Sequence, residues 1–203
     1  MPISCFLGFH KWEGCKCGIC GKTRGAEHNR KSNVGLLDAA KAGDTARVRE
    51  LLLGGADLGK KDEKGRNALH LAALNGYIDI IETLLAAGMD INERDQFGGN
   101  ALHLAATLGK PDTTKVLIAA GADMNATDDD GFTPLHRACL LDRIEFIQAL
   151  AEGGANLEAP IAKSAKAIPE LAKLAGMSAL NFATVLGKTV SAKALEKLLS
   201  QRK

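Results

Sequence analysis

Four of the chain's five cysteines crowd its start: Cys5, Cys15, Cys17 and Cys20, with His10 and His28 close by. The run Cys17-Gly18-Ile19-Cys20-Gly21 is a C-x2-C knuckle. Two thiolates at that spacing can point at one ion, and the glycine after them permits a tight turn. Structural zinc takes four ligands in a tetrahedron. The set that best completes it is Cys5, His10, Cys17 and Cys20, with Cys15 and His28 as reserves. A segment this short buries little apolar surface, so a metal is a natural staple. A redox pair at Cys17 and Cys20, or a thiol-rich tail without structure, are the rival readings. The basic residues Lys11, Lys16, Lys22, Arg24, Arg30 and Lys31 would also permit contact with nucleic-acid phosphate.

Other reactive residues lie further on. His70, His103 and His136 recur at one constant interval, which raises the idea of a metal ladder. His136 and Cys139 stand one helical turn apart. Asp128, Asp129 and Asp130 form a run that would suit a cation or a basic partner, although such runs are more often solvated turns. No Gly-x-Ser-x-Gly, phosphate-binding loop or His-Glu-x-x-His occurs, so no catalytic set is expected and the chain reads as a non-enzyme.

The elements that position these residues follow from composition and repetition. The chain has 203 residues, 46% apolar and 25% charged, the balance of a protein that buries a core. Aromatics are 4%, which argues against an all-β fold. No run approaches the ~18 apolar residues of a membrane span. Lys11 and Glu13 interrupt the place where a signal peptide would be apolar, so the expected compartment is the cytoplasm. Net charge is +4 over residues 1–35, −8 over 36–160 and +6 over 161–203. An acidic middle between basic ends is not the footprint of a domain-wide nucleic-acid binder.

Gly65-Arg66-Asn67-Ala68-Leu69-His70-Leu71-Ala72-Ala73 recurs from Gly98 to Ala106, and again from Gly131 to Cys139 as Gly-Phe-Thr-Pro-Leu-His-Arg-Ala-Cys. The two steps are equal, so the chain has a fixed period. A second motif, Leu84 to Asn92, recurs from Leu117 to Asn125 at the same period, with looser copies at Leu51–Leu58 and Leu150–Leu157. Asn67, Asn100 and Thr133 sit where a helix N-cap belongs, and Pro134 suits the first helical position. Short helices such as Ala68–Leu74 should end at Gly76, Gly109 and Asp142, the last being the poorest left-handed residue of the three. Ile78, Ile81, Leu84 and Leu85 predict a second helix. The first unit, with Asp38, Lys41 and Arg47, reads as an N-terminal cap. Ala192–Leu199, with Leu195, Leu198 and Leu199 on one face, reads as a C-terminal cap. Leu135 and Leu180 are separated by more than one period. The excess lies in Ala159–Ala175, where Ala162–Lys166 and Glu170–Leu174 are candidate helical turns.

This pattern, with its period of roughly 33 residues, resembles the ankyrin repeat. The resemblance implies an all-α solenoid of helix-turn-helix units with β-turn tips, over residues 30–203. The units fall at about 30–62, 63–95, 96–128, 129–161 and 176–203, with an insertion near 159–175, after a zinc-binding head at 1–29. Gly8-Phe9-His10-Lys11-Trp12 and the cysteines after it resemble small zinc-ribbon modules of bacterial and phage proteins. In the ankyrin family the histidines bridge turns by hydrogen bonds inside a Leu-His signature, which sets the metal ladder aside. Cys139 then stands where Ala73 and Ala106 stand, as a small buried residue. The family binds proteins on its concave face. Carried over, the partner-facing positions are Glu63, Lys64, Arg66, Gln96, Phe97, Gly99, Asp129, Asp130 and Phe132 on the turn tips. On the first helices they are Leu74, Asn75, Thr107, Leu108, Leu140 and Leu141. The expected function is a non-enzymatic adaptor or scaffold, a monomer with a protein partner and no membrane. It would act in the cytoplasm or, as some bacterial ankyrin proteins do, inside a host cell. A zinc-dependent nucleic-acid regulator is the alternative.

Overall fold

A computed structural model describes residues 12–13, 16–17, 35–163 and 173–202. A short antiparallel pair, β1 (Trp12–Glu13) and β2 (Lys16–Cys17), sets Trp12 opposite Cys17. The other regular elements described are helices joined by turns. The chain runs through α1 (residues 35–42), α2 (Thr45–Leu53), α3 (Ala68–Asn75), α4 (Ile78–Ala86), α5 (Ala101–Leu108) and α6 (Pro111–Ala119). It continues through α7 (Pro134–Leu140), α8 (Ile144–Glu152), α9 (Ala179–Val185) and α10 (Thr189–Gln201). Each consecutive pair is one unit. First helices stack on first helices and second on second, so one buried cluster runs from Leu36 to Leu195. No unit holds a core of its own, as expected of stacked repeats.

Local chemistry makes these short helices start and stop. Asn67 accepts from the His70 amide at 3.0 Å, while the Asn67 amide donates to His70 Nδ1 at 3.3 Å. Asn100 with His103, and Thr133 with His136, form the same reciprocal box. Histidine thus takes the place usually held by a glutamate or glutamine in a capping box. At the other end, Gly76 and Gly109 adopt left-handed backbone, with φ of 77° and 75°. The next copy of that position is Asp142, the one non-glycine residue with positive φ among those described, at 52°.

The turn tips repeat as closely. Oδ1 of Asp62 accepts from the amides of Lys64 and Arg66, that of Asp95 from Phe97 and Gly99, and that of Asp128 from Asp130 and Phe132. Adjacent tips are tied by backbone bonds, Gln96 N–H to Lys64 O at 3.1 Å and Asp129 N–H to Phe97 O at 2.8 Å.

This frame locates the insertion. The Ile161 amide donates to Met177 O, as the Asp128 amide donates to Phe132 O, and Gly176 N–H donates to Ile161 O, as Gly131 N–H donates to Asp128 O. The insertion therefore extends the fifth turn tip, and the turn's closing bonds survive around it. Ile161 stands where the other turns have aspartate. Of the two expected helical turns, Ala162 and Lys163 are not helical and Lys173 and Leu174 lie in a turn; the rest falls outside the described residues. At the C-terminal end Asn181 and Thr184 hold the places of His136 and Cys139, and both are exposed.

Candidate protein-interaction face

The turn tips and the ends of the first helices form one row. Phe97 is its most prominent residue, 56% exposed. Its backbone is held at both ends: the amide donates to Asp95 Oδ1 at 2.9 Å and the carbonyl accepts from Asp129. A rigid aromatic projecting into solvent loses little entropy when it is covered, which is the physics of an interface anchor. Gln96, Glu63 and Lys64 beside it are exposed, so the row offers a mixed-charge rim.

Several expected contacts are engaged within the fold. Arg66 grips Asp62 Oδ2 through Nε at 2.9 Å and Nη2 at 2.7 Å. Burial pushes the Asp62 carboxyl up, but the Arg66 guanidinium and the two turn amides outweigh it and hold the group below its usual range. Arg137 donates to Asp128 at 2.7 Å and to Asp130 at 2.8 Å, so the acidic triplet is the fourth turn itself rather than a loose cation site. Asn75 donates from Nδ2 to Leu71 O, and Thr107 from its hydroxyl to Leu104 O. Leu74, Leu108 and Leu140 are half-buried. Leu108 covers the position where a Cβ on Gly76 would lie, 2.5 Å away, so it is largely an inter-unit contact. Leu141 is 39% exposed.

Phe132 corrects the sequence reading. Expected on a tip, it is 3% exposed. It precedes the helix cap Thr133 and turns back into the joint with the fifth unit. Its ring lies 5.3 Å from Phe182, and Arg137 covers it at 4.9 Å. His136 meets Phe182 edge-on at 5.8 Å. The fifth unit thus closes on an aromatic cluster that the other joints lack among the described residues.

Of the three capping histidines, His103 links two units through its ring. His103 donates from Nε2 to Phe132 O, in the next unit, at 3.0 Å. The corresponding backbones, Gly99 for His70 and Met177 for His136, lie beside the rings at looser geometry. Burial holds all three imidazoles below their ordinary value, His136 at about 4. Cys139 is buried, and burial raises its thiol to about 12, so it is no nucleophile. Among the described residues no group of three or more His, Cys, Asp or Glu is placed to hold a metal. Of the expected zinc set only Cys17, on β2, is described; Cys5, His10, Cys20, Cys15 and His28 lie outside the described residues.

Spacing alone did not reveal the joint between the fourth and fifth units. Asp142 accepts from the hydroxyl of fully buried Ser191 at 2.7 Å and pairs with Lys188 at 3.3 Å. The Ser191 bond, helped by Lys188, holds the Asp142 carboxyl below its usual range against a smaller effect of burial. Val185, Leu186 and Val190 are exposed at 62%, 40% and 59%. Allowing for the longer step between Leu135 and Leu180 brings these residues into register with the inner units.

Comparison with known proteins agrees with the architecture. The family model for ankyrin repeats (3 copies) matches residues 36–128, 84–161 and 108–201. This chain belongs to the ankyrin-repeat family. It is similar to the putative ankyrin repeat protein RF_pd14 of Rickettsia felis, 43% identical over 61 residues, covering 30% of this chain and 92% of that protein. A second protein of that organism, RF_p14, is 45% identical over 53 residues, 26% of this chain and 84% of its own length. The mitochondrial liver isoform of glutaminase from Rattus norvegicus is 34% identical over 79 residues, 37% of this chain. The match spans 13% of the glutaminase. No described helix is long and apolar enough to cross a membrane.

Proposed function

We propose that this chain is a non-enzymatic adaptor that captures a partner protein along its turn tips and first helices, with Phe97 as the anchor. Ankyrin repeats generally mediate protein–protein interaction, which supports the class. The observation that carries the specific reading is the exposed ring on a backbone locked from both sides, between Lys64 and the fourth turn. Gln96, Thr107, Asp129, Asp130 and Leu141 complete the contact, while Arg66, Leu74, Asn75, Leu108 and Leu140 shape it from below. Phe97→Ala is the test, compared with Leu53→Ala, which trims a 91% exposed leucine at the end of α2. Loss of a central aromatic anchor costs about 2 kcal/mol or more, roughly a 30-fold drop in partner retained on immobilised protein. Full capture by Phe97→Ala with unchanged helicity would refute the assignment.

The same reading gives the head a structural zinc on Cys5, His10, Cys17 and Cys20. The C-x2-C spacing and the β1–β2 register that carries Cys17 support it. Stoichiometric zinc in protein purified under reducing conditions is the expected result. A thiolate site needs a reducing compartment, so the chain acts in a cytoplasm, its own or a host's, as a monomer.

A further inference from the structure

We infer that Asn75–Gly76 is a covalent modification site kept closed by the fold: a deamidation site that reacts only when the C-terminal turn of α3 opens, and whose product cannot rebuild that turn. Asn75 is the only asparagine of the chain followed by glycine; every other one precedes a residue with a side chain. A glycine leaves its own amide unshielded and its backbone free to turn. In the reaction the Gly76 nitrogen bonds to Asn75 Cγ and gives up its proton, the Cγ–Nδ2 bond breaks, and ammonia leaves with that proton. Water then opens the five-membered imide at one of its two carbonyls. Opening at Cγ yields aspartate, and opening at the main-chain carbonyl yields isoaspartate. Water is the only co-reactant.

The folded chain blocks the first step. The attacking amide is committed: Gly76 N–H donates to Ala72 O at 2.8 Å and to Ala73 O at 3.3 Å. The leaving group is committed too, because Asn75 Nδ2 donates to Leu71 O at 2.8 Å. Ring closure must also bring the Gly76 nitrogen round to the Cβ side of Asn75, which helical backbone at the end of α3 does not allow. Leu108 of the next unit holds this arrangement down, 2.5 Å from where a Cβ on Gly76 would lie. The equivalent positions in the other units are Ala42, Leu108, Leu141 and Leu186, so the second unit alone carries the reactive pair there.

The product does not fit the place the amide leaves. Either carboxylate puts negative charge at the C-terminal end of a helix, against its dipole. Aspartate, ionised, has no donor for Leu71 O. Isoaspartate routes the main chain through Cβ and lengthens it by one atom. The Gly76 amide then no longer meets Ala72 O, and the left-handed cap under Leu108 is lost. Conversion is therefore one-way, and it weakens the joint between the second and third units.

The test is to age the full chain at mildly alkaline pH, in buffer and in enough denaturant to unfold it, and to follow the Asn75 peptide by mass spectrometry. The folded chain is expected to convert at least about 100-fold more slowly, because only the fraction with α3 open reacts. Leu108→Ala, which lifts the cover, should speed conversion of the folded chain by about tenfold or more. Phe182→Ala, which loosens the fifth unit, should leave it unchanged. Asn75→Asp should lower the melting temperature by about 2–4 °C. Equal rates in buffer and denaturant, or no conversion at Asn75 in the unfolded chain, would overturn the inference. So would a folded Leu108→Ala that converts no faster than wild type, or an Asn75→Asp chain that melts unchanged. The wild-type comparison decides whether or not Leu108→Ala folds.

Discussion

The joint between the second and third units and the joint between the fourth and fifth join similar helices by different means. At the inner joint Gly76 turns the chain, and Leu108 of the next unit drops over it. At the outer joint Asp142 makes the same turn at φ 52°, and its carboxylate is satisfied by Ser191 and Lys188. The interiors differ too. The inner joint is filled by leucine and alanine around a capping histidine, the outer by Phe132, His136 and Phe182 in mutual contact. Where the repeat is regular, small residues and backbone bonds suffice. Where the insertion interrupts it, large rings and a polar clasp hold the register.

The comparison breaks most readily at Phe182, which is 1% exposed. Phe182→Ala should destabilise the fifth unit by about 3–5 kcal/mol, because both the ring's burial and its aromatic neighbours are lost. Hydrogen exchange should then show α9 and α10 opening ahead of α3 to α6. Uniform loss of protection along the solenoid would erase the distinction between the joints.

A milder effect comes from the histidines. An unfolded imidazole takes up a proton near 6.5, whereas buried His136 resists until about 4. The unfolded chain therefore binds more protons between those values, and stability rises with pH across that window. Melting temperature is expected to be steady above pH ~6.5 and to fall toward pH ~4.5. His136→Asn, which borrows the residue of unit five, should flatten part of that slope. A wild-type melting temperature that does not move would show that the rings are not held neutral.

The smallest effect is expected from excising Lys163–Leu174, which joins Ala162 to Ala175 and leaves a turn of inner-unit length ending in Gly176. Shortening the loop should stabilise the fold by about 1 kcal/mol, from lower closure entropy. Loss of the fifth unit's helicity would show that the excursion takes part in the joint.

Much of the solenoid was legible because each feature is written several times. Asn67, His70 and Gly76 declare a helix start and stop, and the same three types return at Asn100, His103 and Gly109. Asp142 was legible as the odd member of that column. The role of its side chain was not, because its partners Lys188 and Ser191 lie on the far side of the insertion. Phe132 illustrates the same limit. The repeat fixes that it follows the turn, but whether its ring faces solvent depends on the cavity beside Phe182, which enters the chain only after the insertion. Val190 went unnoticed because exposure is a matter of what fails to pack, and spacing carries no record of that. Local signals fix the units, whereas the chemistry between units is set by residues a period or more apart.

Asn181 and Thr184 carry one more consequence. They put amide and hydroxyl groups where the preceding unit has the ring of His136 and the thiol of Cys139 under a following neighbour. Covering this face would strip water from the Asn181 amide, whereas the Thr184 hydroxyl already donates to Leu180 O at 2.9 Å. A copied inner module would meet, on both sides, faces of the composition it already matches.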